Sequence, residues 1–302
     1  MRISSLQIHR QGVNSILDLQ TQLFRTQQQL STGKRMITPA DDPTGSAQLL
    51  GLSESAAVTE QYQRNIQHLQ SRLELEDTVL ASVGDNLQRA RELAVQALND
   101  TNSAEDRVAI AREVRQITDQ VLAVANSKDG QGEYLFAGFQ AKDIPFSHDG
   151  VGNFSYAGDQ GQRQIQVGPT RQLAYGDSGL DVFMKIADAS GTVAHEDVFS
   201  TLYKLASDLE ADAPSDTTLD QLDNALEQVV GFRATAGARL NAAQSQQDIN
   251  ESFLLQLEQT RSTIEDLDYA DAATRLSQES VALQAAQQAF VRVQNLNLFN
   301  YL

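Results

Sequence analysis

The chain holds 302 residues, with 23 Lys and Arg against 40 Asp and Glu, a formal net charge of −17. That balance argues against nucleic-acid binding, which relies on clustered Lys and Arg against phosphates, while 41% hydrophobic residues are enough for a core and too many for a disordered polyanion. Cysteine is absent, which removes disulfides, thiolate nucleophiles and Cys-based zinc or iron–sulfur sites together.

No run approaches the roughly 18 apolar residues that cross a bilayer, so no membrane insertion is expected. The opening residues lack the apolar stretch of a secretory signal. On these tests alone the protein is soluble, acidic and cytoplasmic, with a length that suggests about two domains.

In chain order, residues 13–30 set Val13, Ile16, Leu19, Leu23 and Leu30 among Gln20, Gln22, Gln27, Gln28 and Gln29, a thin helical stripe that needs a partner surface. Asp42-Pro43 reads as an N-cap followed by proline in the first helical turn. A long helix follows, because Ile66, Leu69, Leu73, Leu80, Val83, Leu87, Ala90, Ala94 and Ala97 alternate spacings of three and four. Glu76 is the one charged interruption of that seam. Ser103 with Asp106 predicts a capping box before a second amphipathic helix carrying Ile110, Val114, Ile117, Val121 and Val124.

From Gly130 to about residue 191 glycines recur, and Tyr134-Leu135-Phe136, Phe154-Ser155-Tyr156 and Ile165-Gln166-Val167 read as short strands. Asp149-Gly150 and Asp159-Gln160-Gly161 are the turns between them. Helix resumes from His195 to Leu209. Thr217 is then placed to cap a helix with Leu219, Leu222, Leu226 and Val229, followed by Leu254, Leu257 and Ile264. The last segment, Asp268 to Leu298, carries Leu276, Leu283 and Phe290 at heptad spacing amid Gln284, Gln287, Gln288 and Gln294.

The two ends are alike in kind and opposite in sign. Residues 1–35 hold five basic residues against Asp18, a net of +4, and residues 266–302 hold two against four acids, a net of −2. Matching stripes and opposite charge favour the termini packing on each other. The expected fold is therefore mainly α with a small β insertion. Both chain halves would form a long antiparallel, coiled-coil-like helical rod with a compact β-rich outer domain. The thin terminal stripes also point to an assembly protein whose ends are the interface, through Ile16, Leu23, Leu30, Leu276, Leu283 and Phe290.

Catalytic constellations are weak. Gly176-Asp177-Ser178-Gly179 is similar to the nucleophile segment of trypsin-like proteases, but Leu180 stands where a second Gly belongs and no His has a matching context. A turn closing the β insertion is the better reading. His9, His68, His148 and His195 have no ligand spacing, and no phosphate-binding Gly-rich motif is present. No catalytic, cofactor or metal site is expected.

Leu30-Ser31-Thr32-Gly33-Lys34-Arg35 followed by Pro39-Ala40-Asp41-Asp42-Pro43, together with Leu87-Gln88-Arg89-Ala90-Arg91-Glu92-Leu93-Ala94-Val95-Gln96, resembles the flagellin family. Asp41-Asp42-Pro43, Gly132-Glu133-Tyr134-Leu135-Phe136-Ala137-Gly138 and the ending Leu298-Phe299-Asn300-Tyr301-Leu302 look more like its members at the hook-filament junction than like filament subunits. The resemblance covers about the first 140 and last 90 residues.

It implies a structural protein without an active site, secreted through the flagellar export apparatus and joining the hook to the filament. Its implied partners are the first hook-associated protein, flagellin, copies of itself in a tubular ring, and a flagellar export chaperone reading Leu276, Leu283 and Phe290. Residues 1–40 and 266–302 would form an inner tube of paired helices, 41–140 and 191–265 the rod, and 141–190 the outer domain. Arg89, Leu93 and Glu113 match positions that flagellins present to the vertebrate flagellin receptor; the alternative is ordinary rod surface against neighbouring subunits. The rival readings are a filament flagellin, an intracellular coiled-coil scaffold and an enzyme built on Ser178.

Overall fold

The computed structural model describes residues 5–99, 101–186, 197–213 and 215–295. Their helices are α1 (Ser5–Thr32), α2 (Pro43–Ala97), α3 (Ala104–Ala125), α4 (Val198–Glu210), α5 (Asp216–Glu265) and α6 (Tyr269–Asn295). Between α3 and α4 lie four three-residue strands, β1 (Phe146–His148), β2 (Phe154–Tyr156), β3 (Gln164–Gln166) and β4 (Gln172–Ala174), and a π-helical turn, Leu180–Met184. β1 pairs antiparallel with β2, setting Phe146 opposite Tyr156, and β3 pairs antiparallel with β4, setting Ile165 opposite Leu173. The architecture is mainly α with a small β insertion.

The chain divides into two compact units, one of Met1–Val58 and Ser252–Leu302, the other of Thr59–Glu251. In the second, the α2 seam is the spine of the core: Ile66, Leu69, Leu73, Leu80, Val83, Leu87, Ala90, Ala94 and Ala97 are all buried. Ile110, Val114, Ile117 and Val121 of α3 and Leu202, Leu205 and Leu209 of α4 pack against its Leu80–Ala97 part, while Ile66, Leu69 and Leu73 form a second cluster with Val167, Tyr175 and Ala243. Phe136, Phe146, Phe183 and Phe199 meet edge-on, tilted or stacked, with ring centroids 5.1 to 5.7 Å apart. These rings fasten the β insertion to the helices, since aromatic pairs at such distances add to the burial itself.

Helix α5 runs antiparallel to α2 within this unit. Arg91 pairs with Asp223 (2.5 Å), Asp77 with Arg233 (2.9 Å), and Gln63 Nε2 donates to the Gln247 carbonyl (3.0 Å). As the number falls on one helix it rises on the other.

The capping box forms as expected: Ser103 Oγ accepts from the Asp106 N–H (3.2 Å), and Asp106 Oδ2 accepts from the Ser103 N–H (3.1 Å). Three local expectations change. Tyr134-Leu135-Phe136 is buried but is no strand, because the Tyr134 N–H goes to the Ala141 carbonyl and the Leu135 N–H to the Ser127 carbonyl, in loop geometry. Helix α5 begins one residue before Thr217, and Ser215 Oγ takes the Thr217 N–H (3.3 Å) in the capping role expected of Thr217. Asp197, which accepts from the Ser200 N–H, starts α4; His195 and Leu298 lie outside the described residues.

Candidate assembly site

In the unit that contains both ends of the chain, α1 packs along α6. Ile16, Leu23 and Leu30 on α1 and Leu276, Leu283 and Phe290 on α6 are all half-buried. Phe290 packs edge-on against His9 at 4.8 Å, and a Cβ on Gly12 would stand 2.8 Å from the Phe290 ring. A small residue on one helix therefore admits the largest apolar side chain of the other.

The pair is closed by a clasp built from the Leu30–Pro43 segment. Gly33 turns the chain with φ of +70°, a conformation that costs any residue bearing a Cβ. The turn lets the Leu267 N–H donate to the Gly33 carbonyl (3.0 Å) and the Arg35 N–H to the Glu265 carbonyl (2.7 Å). The Arg35 guanidinium donates to the Ile264 carbonyl (3.0 Å), and Lys34 pairs with Glu265.

Two adjacent carboxylates fix the rest. Asp41 Oδ2 accepts from the Ile37 and Thr38 N–H groups, both at 3.0 Å, and the residue pairs with Arg25. The Thr38 and Ile37 amides hold the Asp41 carboxyl below its ordinary pKa. Asp42 Oδ1 accepts from the Gly45 N–H (2.9 Å), the geometry of an N-cap at the start of α2.

A second set of apolar residues, which the heptad pattern does not pick out, faces solvent on the same two helices. Leu17 is 53% and Phe24 66% exposed on α1, and Val281 is 62% and Val291 54% exposed on α6. Leu17 and Phe24 lie one position after Ile16 and Leu23, and Val281 and Val291 lie off the Leu276, Leu283 and Phe290 positions, so these side chains have no covering helix within the pair.

The receptor-facing expectation needs correction at Leu93, which is 2% exposed inside the core of the second unit. Its position three residues after Ala90 puts it on the buried face of α2. Arg89 and Glu113 do reach the surface, where the Arg89 guanidinium donates to Glu113 Oε1 at 2.8 and 2.9 Å.

Ser178 is buried, its hydroxyl donating to the Asp159 carbonyl (3.1 Å) and accepting the Leu180 N–H (3.3 Å), the arrangement of a turn. His68 stacks on Tyr175 at 5.2 Å, and His148 lies beside Phe154. Among the described residues no group of three His, Cys, Asp or Glu side chains could hold a metal ion, and no helix is long and apolar enough to cross a membrane.

Residues 3–141 match the bacterial flagellin N-terminal helical region, and residues 219–302 match the bacterial flagellin C-terminal helical region. The flagellar hook-associated protein 3 of Escherichia coli K12 is 31% identical over an alignment of 316 positions, gaps included, covering 99% of each chain. The chain belongs to the flagellar hook-associated protein 3 family, within the flagellins.

The hook-associated protein 3 of Salmonella typhimurium LT2 is 29% identical, again over 99% of each chain. In fold, this family member is similar to the crystal structure of hook-associated protein 3 from Legionella pneumophila, with a TM-score of 0.66 and 21% identity over 70% of this chain and 98% of that one. The clasp and the α1–α6 pair both fall within the two segments shared with flagellins.

Proposed function

We propose that the protein is a structural link of the bacterial flagellum, secreted by the flagellar export route and joining the hook, through the first hook-associated protein, to the flagellin filament. The carrying observation is the pair of terminal helices that leaves Leu17, Phe24, Val281 and Val291 uncovered. Burying such residues is favourable only when something covers them, and in a lattice the neighbours do so.

In this reading residues 1–40 and 266–302 form an inner tube with copies of the chain. Residues 41–140 and 191–265 form a surrounding helical layer, and 141–190 lie outermost. Contacts of one patch with a different patch on the next copy generate rings or tubes. An export chaperone covering Leu276, Leu283 and Phe290 before assembly is the remaining partner.

The test is deletion of 1–35 or of 270–302. Each deletion is expected to leave the Thr59–Glu251 unit folded and to abolish incorporation at the end of the hook. A truncated protein that still supports filaments overturns the reading. Purified full-length chain that polymerises alone into long filaments would instead make it a filament flagellin.

A further inference from the structure

The charged interruption of the α2 seam lies among buried charges. Glu76 is 1% exposed. Four charged groups surround it directly or through one neighbour. Arg72, one turn earlier on α2, pairs with Asp129 and donates to the Tyr134 and Leu135 carbonyls, both at 3.3 Å. Its guanidinium also lies 4.5 Å over the Tyr175 ring. Arg239 on α5 grips Asp177 with two hydrogen bonds of 2.8 and 3.0 Å. Glu76 Oε1 accepts the Asp177 N–H at 3.1 Å.

Charge counting then leaves one acid over. Arg72 is committed to Asp129 and Arg239 to Asp177, so both guanidinium charges are matched without Glu76. An ionised Glu76 would add an unmatched negative charge beside the Asp177 carboxylate in a water-poor interior, which is costly. Its second oxygen, Oε2, is buried without a hydrogen-bond partner, as is Arg72 Nε. Both atoms stand 3.7 Å from where a Cβ on Gly176 would be.

We propose that Glu76 is a proton-held latch: carrying a proton, it lets the segments around Asp129–Leu135 and Tyr175–Gly179 close on α2 and α5, and losing that proton in alkaline surroundings loosens them. Burial, and next the charge of Asp177, push the Glu76 carboxyl up to about 8, against the pull of the Asp177 amide, Arg239 and Arg72. The folded protein therefore binds this proton more tightly than the unfolded chain does. The stabilisation is complete below the usual carboxyl range and declines as the pH climbs from about 4.5 towards about 8.

The test compares the full chain with Glu76→Gln, whose amide copies the neutral acid and still accepts from Asp177. The two are followed by urea unfolding and amide hydrogen exchange between pH 5 and pH 9.5. The general repulsion of a −17 chain acts on both alike, so the difference between them reports the latch. The expected result is equal midpoints near pH 5, a wild-type midpoint that falls progressively below the variant's as the pH climbs towards about 8, and a constant gap above that. Exchange at 129–135 and 175–179, corrected for intrinsic rate, should rise more than tenfold in the wild type alone. Parallel pH profiles overturn the proposal. Should Glu76→Gln fail to fold, carboxyl 13C titration of the wild type decides: a Glu76 signal moving above pH 7 supports the latch, and one moving between pH 4 and pH 5 overturns it.

Discussion

In the Thr59–Glu251 unit, Leu73, Leu80 and Leu87 stand seven residues apart and none keeps any exposed surface. Ile16, Leu23 and Leu30 of the terminal pair have the same spacing and stay half in solvent. The difference lies in the number of neighbours. Leu80 and Leu87 belong to a core cluster that draws residues from α3, α4, α5 and the aromatic group of the β insertion, and Leu73 to a second cluster with Val167, Tyr175 and Ala243. The α1 stripe meets one helix, which covers a narrow seam and leaves the flanks bare. Heptad spacing tells which residues point the same way, and the surroundings decide how much burial that alignment yields.

The comparison breaks most visibly at matched leucines. Leu80→Ala should lower the stability of the main urea transition by about 3 kcal/mol, the usual cost of a cavity in a packed core. Leu23→Ala should move that same transition by less than about 0.5 kcal/mol, as substitutions outside a cooperative core do. Equal shifts would mean that the two units unfold as one.

A smaller effect sharpens the picture of the clasp. Gly33→Ala must hold φ at +70° with its Cβ 2.7 Å from the Tyr269 hydroxyl. The conformational part alone costs about 1–2 kcal/mol. Amide exchange should therefore quicken in α1 and α6 while α3 stays protected; unchanged exchange in the terminal helices would refute the clasp. Smaller still is Ser103→Ala, which removes one half of the capping box and should cost about 1 kcal/mol. Its loss should appear in the main transition and leave α1 and α6 untouched. A loss spread over both units would contradict the division.

Much of this was legible in the residues. The α2 seam, the Ser103 box and the Asp42-Pro43 start are local signals, and local hydrogen bonds and periodicity decide them. The β insertion was legible in composition and only partly in detail. Phe154–Tyr156 pairs as read, but β1 and β4 alternate too weakly to announce themselves. Tyr134–Phe136 looks like a strand because loops that pack inward are as apolar as strands. At the terminal helices the heptad revealed Ile16, Leu23 and Leu30, and concealed Leu17 and Phe24, whose exposure depends on there being a single partner helix. Leu93 was misplaced by family likeness, although its own spacing from Ala90 puts it inside. Glu76 stood out as a flaw in a stripe; that its neighbours already balance each other is a tertiary fact with no sequence signature.

The clasp joins Gly33 to Leu267 and Arg35 to Glu265, and this has a consequence for timing during synthesis. Helix α1 leaves the ribosome well before its partner α6, which begins 237 residues after α1 ends. At roughly 5–20 residues per second, α1 spends roughly 12 to 50 seconds with no α6 to pack against. Contacts so distant along the chain also form slowly. The Thr59–Glu251 unit can gather its core as soon as α5 emerges, whereas the terminal pair is necessarily the final piece. A nascent chain halted before Glu265 therefore cannot close the clasp.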